Sequence, residues 1–122
     1  MKIFKTKWFA RYARRERVID RALREAISRA AQGLVDADLG GNVIKQRMAR
    51  PGQGRSGGYR VLIAFRARER AVFLYGFAKN ERDNIEGGEL ATLKEIAAAW
   101  LAADAAKIEQ ALKDGILQEV RE

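Results

Sequence analysis

Cysteine and histidine are both absent from this 122-residue chain, and proline occurs once. Without cysteine there is no disulfide, no thiolate zinc site and no cysteine nucleophile. Without histidine the commonest general base and the commonest transition-metal ligand are missing. Catalysis, if any, falls to carboxylates, Lys, Arg, Tyr, Ser or backbone groups, and no metal site or cofactor is expected. Asp36 with Asp38, and Asp83 with Glu86, are carboxylate pairs without a ligand motif around them. The chain also lacks an apolar run long enough to cross a bilayer, and "MKIFKTKWFARYARR" lacks the apolar core of a signal peptide. A cytoplasmic protein with no membrane partner is expected.

What the chain has in excess is positive charge, with a formal net charge of +8. Residues 1–70 hold 18 Lys/Arg against 6 Asp/Glu, whereas residues 71–122 hold 6 against 10. A basic front and a mildly acidic rear suit a polyanionic partner such as nucleic acid. The length fits a single domain spanning residues 1–122.

Residues 2–5 read as a short strand, and Thr6 is placed to cap a helix carrying Trp8, Phe9 and Tyr12. From Arg17 onward, Ile19, Ala22, Leu23, Ala26, Ile27 and Ala30 recur at helical spacing, with arginines on the opposite side and Gly33 as a stop. In "VIKQRM" the pattern alternates: Ile44, Gln46 and Met48 point one way, Val43, Lys45 and Arg47 the other. "YRVLIAF" and "AVFLYGFA" are apolar enough for the middle of a covered sheet, and "RARER" joins them as a charged hairpin. "GELATLKEIAAAWLAADAAKIEQAL" reads as one helix with Leu90, Leu93, Ala97, Trp100 and Leu101 as its stripe. Gly115 ends it, and residues 113–122, containing "ILQEV", are expected to dock as a tail. The order predicts an α+β domain. Its sheet is mostly antiparallel with about four strands, and N-terminal helices and a C-terminal helix pack on it.

The segment between Lys45 and Arg70 concentrates the charge, with eight basic residues and one acid, Glu69. At its centre "PGQGRSGGYR" places four glycines and Arg55 ahead of an apolar strand. A hairpin folded about this loop brings Arg47 and Arg60 onto neighbouring strands. Glycine backbone N–H groups can then approach a phosphate while arginines supply bidentate forks. Tyr59 is a candidate stacking surface for an unpaired base. "KNER", residues 79–82, leaves the last core strand, and Lys79 would enter this patch of like charge. Like charge and partial burial both favour the neutral amine, which suits proton transfer near neutral pH. The competing reading is a solvated basic edge that discourages strand-to-strand aggregation.

The stretch from "GGNVIKQRM" through "GQGRSGGYR" to "FLYGFAKNER" resembles the RelE/HigB group of toxins from bacterial type II toxin–antitoxin modules, most of all the HigB-like branch. The resemblance runs from about Gly40 to Leu101. It implies a small α+β RelE-like toxin that cleaves mRNA in the ribosomal A site without a metal and is neutralised by a cognate antitoxin, a helix-turn-helix DNA-binding protein. On the matching positions it assigns Lys45, Arg47, Arg60 and Lys79 to catalysis. Arg55 is a further catalytic candidate, for the phosphate clamp, and Arg50, Tyr59, Asn80 and Arg82 are candidates for RNA binding. The chain departs from RelE proper at Asn80, where an arginine is usual, and lacks a tyrosine after it, which leaves the general base open. Two other readings stand beside this one: a ParE-like gyrase-poisoning toxin, and a non-catalytic RNA- or ribosome-binding module.

Overall fold

A computed structural model of the chain describes residues 1–49, 58–78 and 85–121. In chain order the elements are β1 (Lys2–Thr6), α1 (Lys7–Glu16), α2 (Asp20–Ala31), β2 (Ala37–Asp38), β3 (Val43–Met48), β4 (Tyr59–Arg66), β5 (Arg70–Ala78), α3 (Gly87–Ala102), α4 (Ala105–Lys113) and β6 (Leu117–Glu119). The fold is α+β, as expected, and the sheet has six strands rather than four, in the order β2-β3-β4-β5-β1-β6. β1 runs parallel to β5, and every other neighbouring pair is antiparallel. The two additional strands are two and three residues long, below the length at which alternation is visible in sequence. One of them is the docked tail, β6, which pairs with β1 through Phe4↔Glu119 and Thr6↔Leu117.

The sheet is covered on both faces, which explains the unbroken apolar runs of β4 and β5. One core lies under α1 and α2, where Phe9, Leu23 and Ile27 meet Ile44, Val61, Ile63 and Phe73. The other lies under α3 and α4, where Ala97, Leu101 and Ile108 meet Val43, Leu62, Ala64 and Val72. A register shift after Leu62 places both Leu74 and Tyr75 of β5 on the α3 side. Trp8 stacks on Tyr75 there, with ring centroids 4.6 Å apart. On the other face the Tyr12 ring lies directly against Gly76, where any side chain would collide with it.

Local signals set the element ends. The Thr6 hydroxyl accepts from the Phe9 N–H at 3.1 Å, which fixes the start of α1. The expected long C-terminal helix is two helices, because Asp104 caps a second one by accepting from Lys107 N at 2.8 Å. A capping side chain inside an alanine-rich run favours a fresh helix start over continuation. The guanidinium of Arg70 closes the end of α3, donating to the carbonyls of Trp100 at 2.7 Å and Ala103 at 2.8 Å. Arg66 donates to the Leu101 carbonyl at 3.3 Å. Both arginines satisfy carbonyls that a helix C-terminus leaves open.

Candidate nucleic-acid interface

Strand register decides which basic residues meet. Arg47 and Arg60 are direct cross-strand partners, as are Lys45 and Leu62. Arg60, Leu62 and Ala64 alternate onto the α3 side of β4, and their partners Arg47, Lys45 and Val43 share that face. Phe77 of β5 is the partner of Arg60 on its other side. Lys45, Arg47 and Arg60 therefore form a basic group at one end of the sheet, beside the aromatic pair Tyr75 and Phe77, whose rings are 6.3 Å apart. Arg60 is only 5% exposed. A guanidinium kept this far from water is costly unless it is held by neighbouring groups, and such holding fixes its direction.

The remaining basic residues of the Lys45–Arg70 segment belong elsewhere. Arg66 and Arg70 sit at the opposite end of the β4–β5 hairpin, on the end of α3, and Arg68 occupies the turn between them. One basic run in the sequence is thus two groups in space, separated along β4 by the step from Arg60 to Arg66. That is about 20 Å at the usual rise.

Two residues overlooked in the sequence organise the sheet edge. The Asp36 carboxylate lies beside both Lys45 and Arg47, at 3.7 Å from Lys45 Nζ and 2.7 Å from Arg47 Nε. Its side chain is 12% exposed and that of Lys45 16%, so this pair is shielded from water, whereas Arg47 is half exposed. Asp36 reaches this position because the short strand β2 pairs Ala37 with Lys45. The second is Gln46, one of two buried polar or charged side chains among the described residues. Its amide donates to the carbonyls of Ala26 at 2.9 Å and Leu34 at 3.1 Å, and its oxygen accepts from Asp36 N at 3.1 Å. Gln46 therefore ties α2, the following loop and β3 together and sets Asp36 in place. Arg29 completes the edge by donating to the Arg47 carbonyl. The available signal was Gln46 itself, a polar side chain at a position where alternation calls for an apolar one.

Tyr59 departs from its expected role as a stacking surface. Its ring is 2% exposed, it meets Tyr12 edge-on at 6.0 Å, and its hydroxyl donates to Glu16 Oε1 at 3.2 Å. Alternation points Tyr59 into the α1–α2 core while Arg60 faces the other way, so no open ring face is left for a base. Arg50, Arg55, Lys79, Asn80 and Arg82 lie outside the described residues.

The arrangement can hold a phosphate diester: a shielded guanidinium at the centre of the patch, and a more exposed guanidinium and an ammonium on the next strand, both anchored by one carboxylate. Among the described residues no helix is long and apolar enough to cross a membrane. The family model for the RelE toxin of the RelE/RelB toxin–antitoxin system matches residues 1–120. No curated protein and no solved structure matches the chain.

Proposed function

Because the chain belongs to the RelE toxin family of toxin–antitoxin systems, with a cognate antitoxin as the partner that family implies, we propose that it is a metal-independent endoribonuclease that cleaves mRNA on the translating ribosome. The observation carrying this reading is the convergence of Lys45, Arg47 and Arg60 on one face of β3 and β4. We place it in the HigB-like branch on "GRSGGYR" and "AKNER", and its antitoxin is then a helix-turn-helix DNA-binding protein. Translation arrest and growth inhibition follow from loss of message.

The chemistry suits a site without histidine. The substrate 2′-oxygen attacks the adjacent phosphorus as its proton leaves, a phosphorane dianion forms, and the P–O5′ bond breaks. The 5′-oxygen takes up a proton, leaving a 2′,3′-cyclic phosphate on the upstream product. Fixed cations supply the largest share of such catalysis by meeting the charge that develops on the phosphorane. Arg60, with Arg47 and Arg55, takes that role here, and Lys79 or Lys45 carries the protons. Arg50, Asn80 and Arg82 hold the flanking RNA. Asp36 must give up part of its hold on Arg47 when a phosphate arrives, so the carboxylate keeps the site arranged while it is empty. A site built on charge and orientation is slow on free RNA, and the ribosome supplies the substrate geometry.

The test is cell-free translation of a defined message with primer extension to map cuts, run beside naked RNA. Ribosome-dependent cuts are expected with the natural protein, and a fall of roughly 10²-fold or more for Arg60→Gln and Lys79→Ala. An intact message with continued translation would overturn the reading and direct attention to gyrase or to binding without cleavage.

A further inference from the structure

β2 pairs with β3 only at Ile44 and Lys45. Beyond Lys45 no strand of the described residues covers the outer edge of β3, and a groove of about 430 Å³ lies there. Its walls come from the end of α2, the loop after it and β3 itself: Arg29, Leu34, Val35, Asp36, Gln46 and Arg47. Leu34, which is 59% exposed, and Val35 give the groove an apolar surface. Arg47 belongs to this groove and to the phosphate clamp at once, because it is also the cross-strand partner of Arg60. A nucleotide whose phosphate meets Arg60 and Arg47 therefore has the groove beside it.

The hydrogen-bonding capacity of the groove is incompletely used. Asp36 Oδ1 accepts from Arg47 Nε at 2.7 Å. Oδ2 has Lys45 Nζ at 3.7 Å, which is too long for a hydrogen bond. A carboxylate offers about four acceptor positions, so Asp36 has room for further donors. Its place is fixed, since the Asp36 N–H donates to the buried Gln46. On the α2 side, Arg29 gives one N–H to Glu25 and another to the Arg47 carbonyl. The rest of its fork is unengaged among the described residues.

We propose that this groove is a base-reading subsite that receives the nucleotide beside the scissile phosphate and selects guanine, with Asp36 as the specificity-determining residue. A base needs apolar contact on its faces and hydrogen bonds at its edge. Leu34 and Val35 supply the first, and Asp36 and Arg29 the second. Guanine presents two neighbouring donors to a carboxylate, N1–H and the 2-amino group, while its O6 and N7 accept from an arginine fork. Adenine and cytosine offer a carboxylate one amino group, and uracil flanks its single N–H with two carbonyls that repel it. Phosphate and base then exchange partners with the empty site. The phosphate draws Arg47 toward Arg60, and the guanine edge fills the Asp36 oxygen that Arg47 leaves. A shielded carboxylate left without a donor is costly, so the base that fits also frees the clamp. This rests on the RNA-cleaving reading for the identity of the polymer, and not for the chemistry of the groove.

The experiment measures binding of the full chain to fluorescent pentanucleotides UUXUU, with X as guanine, inosine, adenine, cytosine or uracil. Their 2′-deoxy sugars prevent cleavage. The natural protein should bind the guanine member roughly 10-fold more tightly than the uracil member, with inosine, which lacks the 2-amino group, in between. Phosphate contacts are common to all members, so salt should weaken all of them together and leave this ratio unchanged. Asp36→Asn turns one acceptor into a donor and should bring the ratio to about one. Leu34→Trp fills the groove from an exposed position; it should do the same while melting within about 2 °C of the natural protein. Arg60→Gln should weaken every member and keep the ratio. A guanine preference beside an intact message in the translation assay would refute the cleavage reading and leave the subsite standing. Ribosome-dependent cuts with equal affinity for all members would do the reverse. Absence of binding to any member, or a preference surviving both Asp36→Asn and Leu34→Trp, would also overturn the subsite.

Discussion

Gly76 of β5 lies directly against the Tyr12 ring of α1, and adding one methyl group there has a calculable cost. A Cβ at this position would stand 2.6 Å from Tyr12 Cε2, 3.0 Å from Cδ2 and 3.1 Å from Cζ. Carbon–carbon contacts prefer about 3.5–4.0 Å, so the ring or the strand must move by close to an ångström. The ring has little room, because Tyr12 is 4% exposed and packs against Phe9 and Tyr59 as well as Trp8. Overpacking of this kind costs about 1–3 kcal/mol, against which the lower unfolded-state entropy of alanine returns about 0.4–1 kcal/mol. For a chain of 122 residues each kcal/mol moves the melting temperature by about 4 °C. A 2.6 Å contact puts the overpacking cost at about 2–3 kcal/mol, the net loss is about 1–2.6 kcal/mol, and Gly76→Ala should melt roughly 4–10 °C lower by circular dichroism. Phe77, the next residue, faces Arg60 across the strand pair, so the shift should also reduce message cleavage. In a Tyr12→Ala background the added methyl has space, and Gly76→Ala should become neutral or stabilising. An equal loss in both backgrounds, or no loss in the natural one, would refute the steric argument.

Asp20 gives a pH-dependent prediction. Its partial burial works to raise the carboxyl pKa, but the hydrogen bond from Lys5, the Arg121 N–H, and the charges of Lys5 and Arg24 outweigh it, so the net shift is downward. A carboxyl lowered by folding stabilises the protein above its unfolded-state value, and that contribution disappears as pH falls through the folded-state value. Asp20→Asn should cost about 1–2 kcal/mol in urea denaturation at pH 7, with the difference from the natural protein narrowing in acid; a constant difference down to pH 2 would contradict the assignment. Gln46→Leu removes three hydrogen bonds to backbone groups around Ala26, Leu34 and Asp36. It should cost about 2–3 kcal/mol and lower cleavage further by releasing Asp36 from Lys45 and Arg47; full activity at full stability would refute its organising role.

Much of the layout was legible in the sequence because it depends on short-range patterns. Thr6 marked a helix start, Gly33 and Gly115 marked helix ends, and the alternation in β3 placed Lys45 and Arg47 together opposite Gln46. The apolar stripe of α2 was sound in its centre, where Leu23, Ala26, Ile27 and Ala30 are buried, and failed at its edge. Ile19 is the residue before the helix and is 62% exposed. What stayed hidden depends on residues far apart in the chain. Nothing near residues 2–6 announces a parallel pairing with residues 70–73. Asp36 appeared to be a loop acid because its meaning comes from a two-residue strand. Tyr59 and Arg60 are neighbours in sequence that serve opposite faces, and only the position of the helices decides which one enters the core.

The parallel seam between β1 and β5 has a temporal meaning. β1 has both of its partners, Arg70–Phe73 and Leu117–Glu119, in later parts of the chain. Contacts this distant in sequence are slow to form because a long loop must close before any reward arrives. During synthesis β1 and the helix that follows it remain without their sheet until β5 is made, and β1 stays an open edge until β6 pairs with it. The strand that carries Phe77 opposite Arg60 is closed on its far side only by β1. The sheet is therefore complete only once Leu117–Glu119 have joined it, after nearly all of the residues between β1 and β6 have been made.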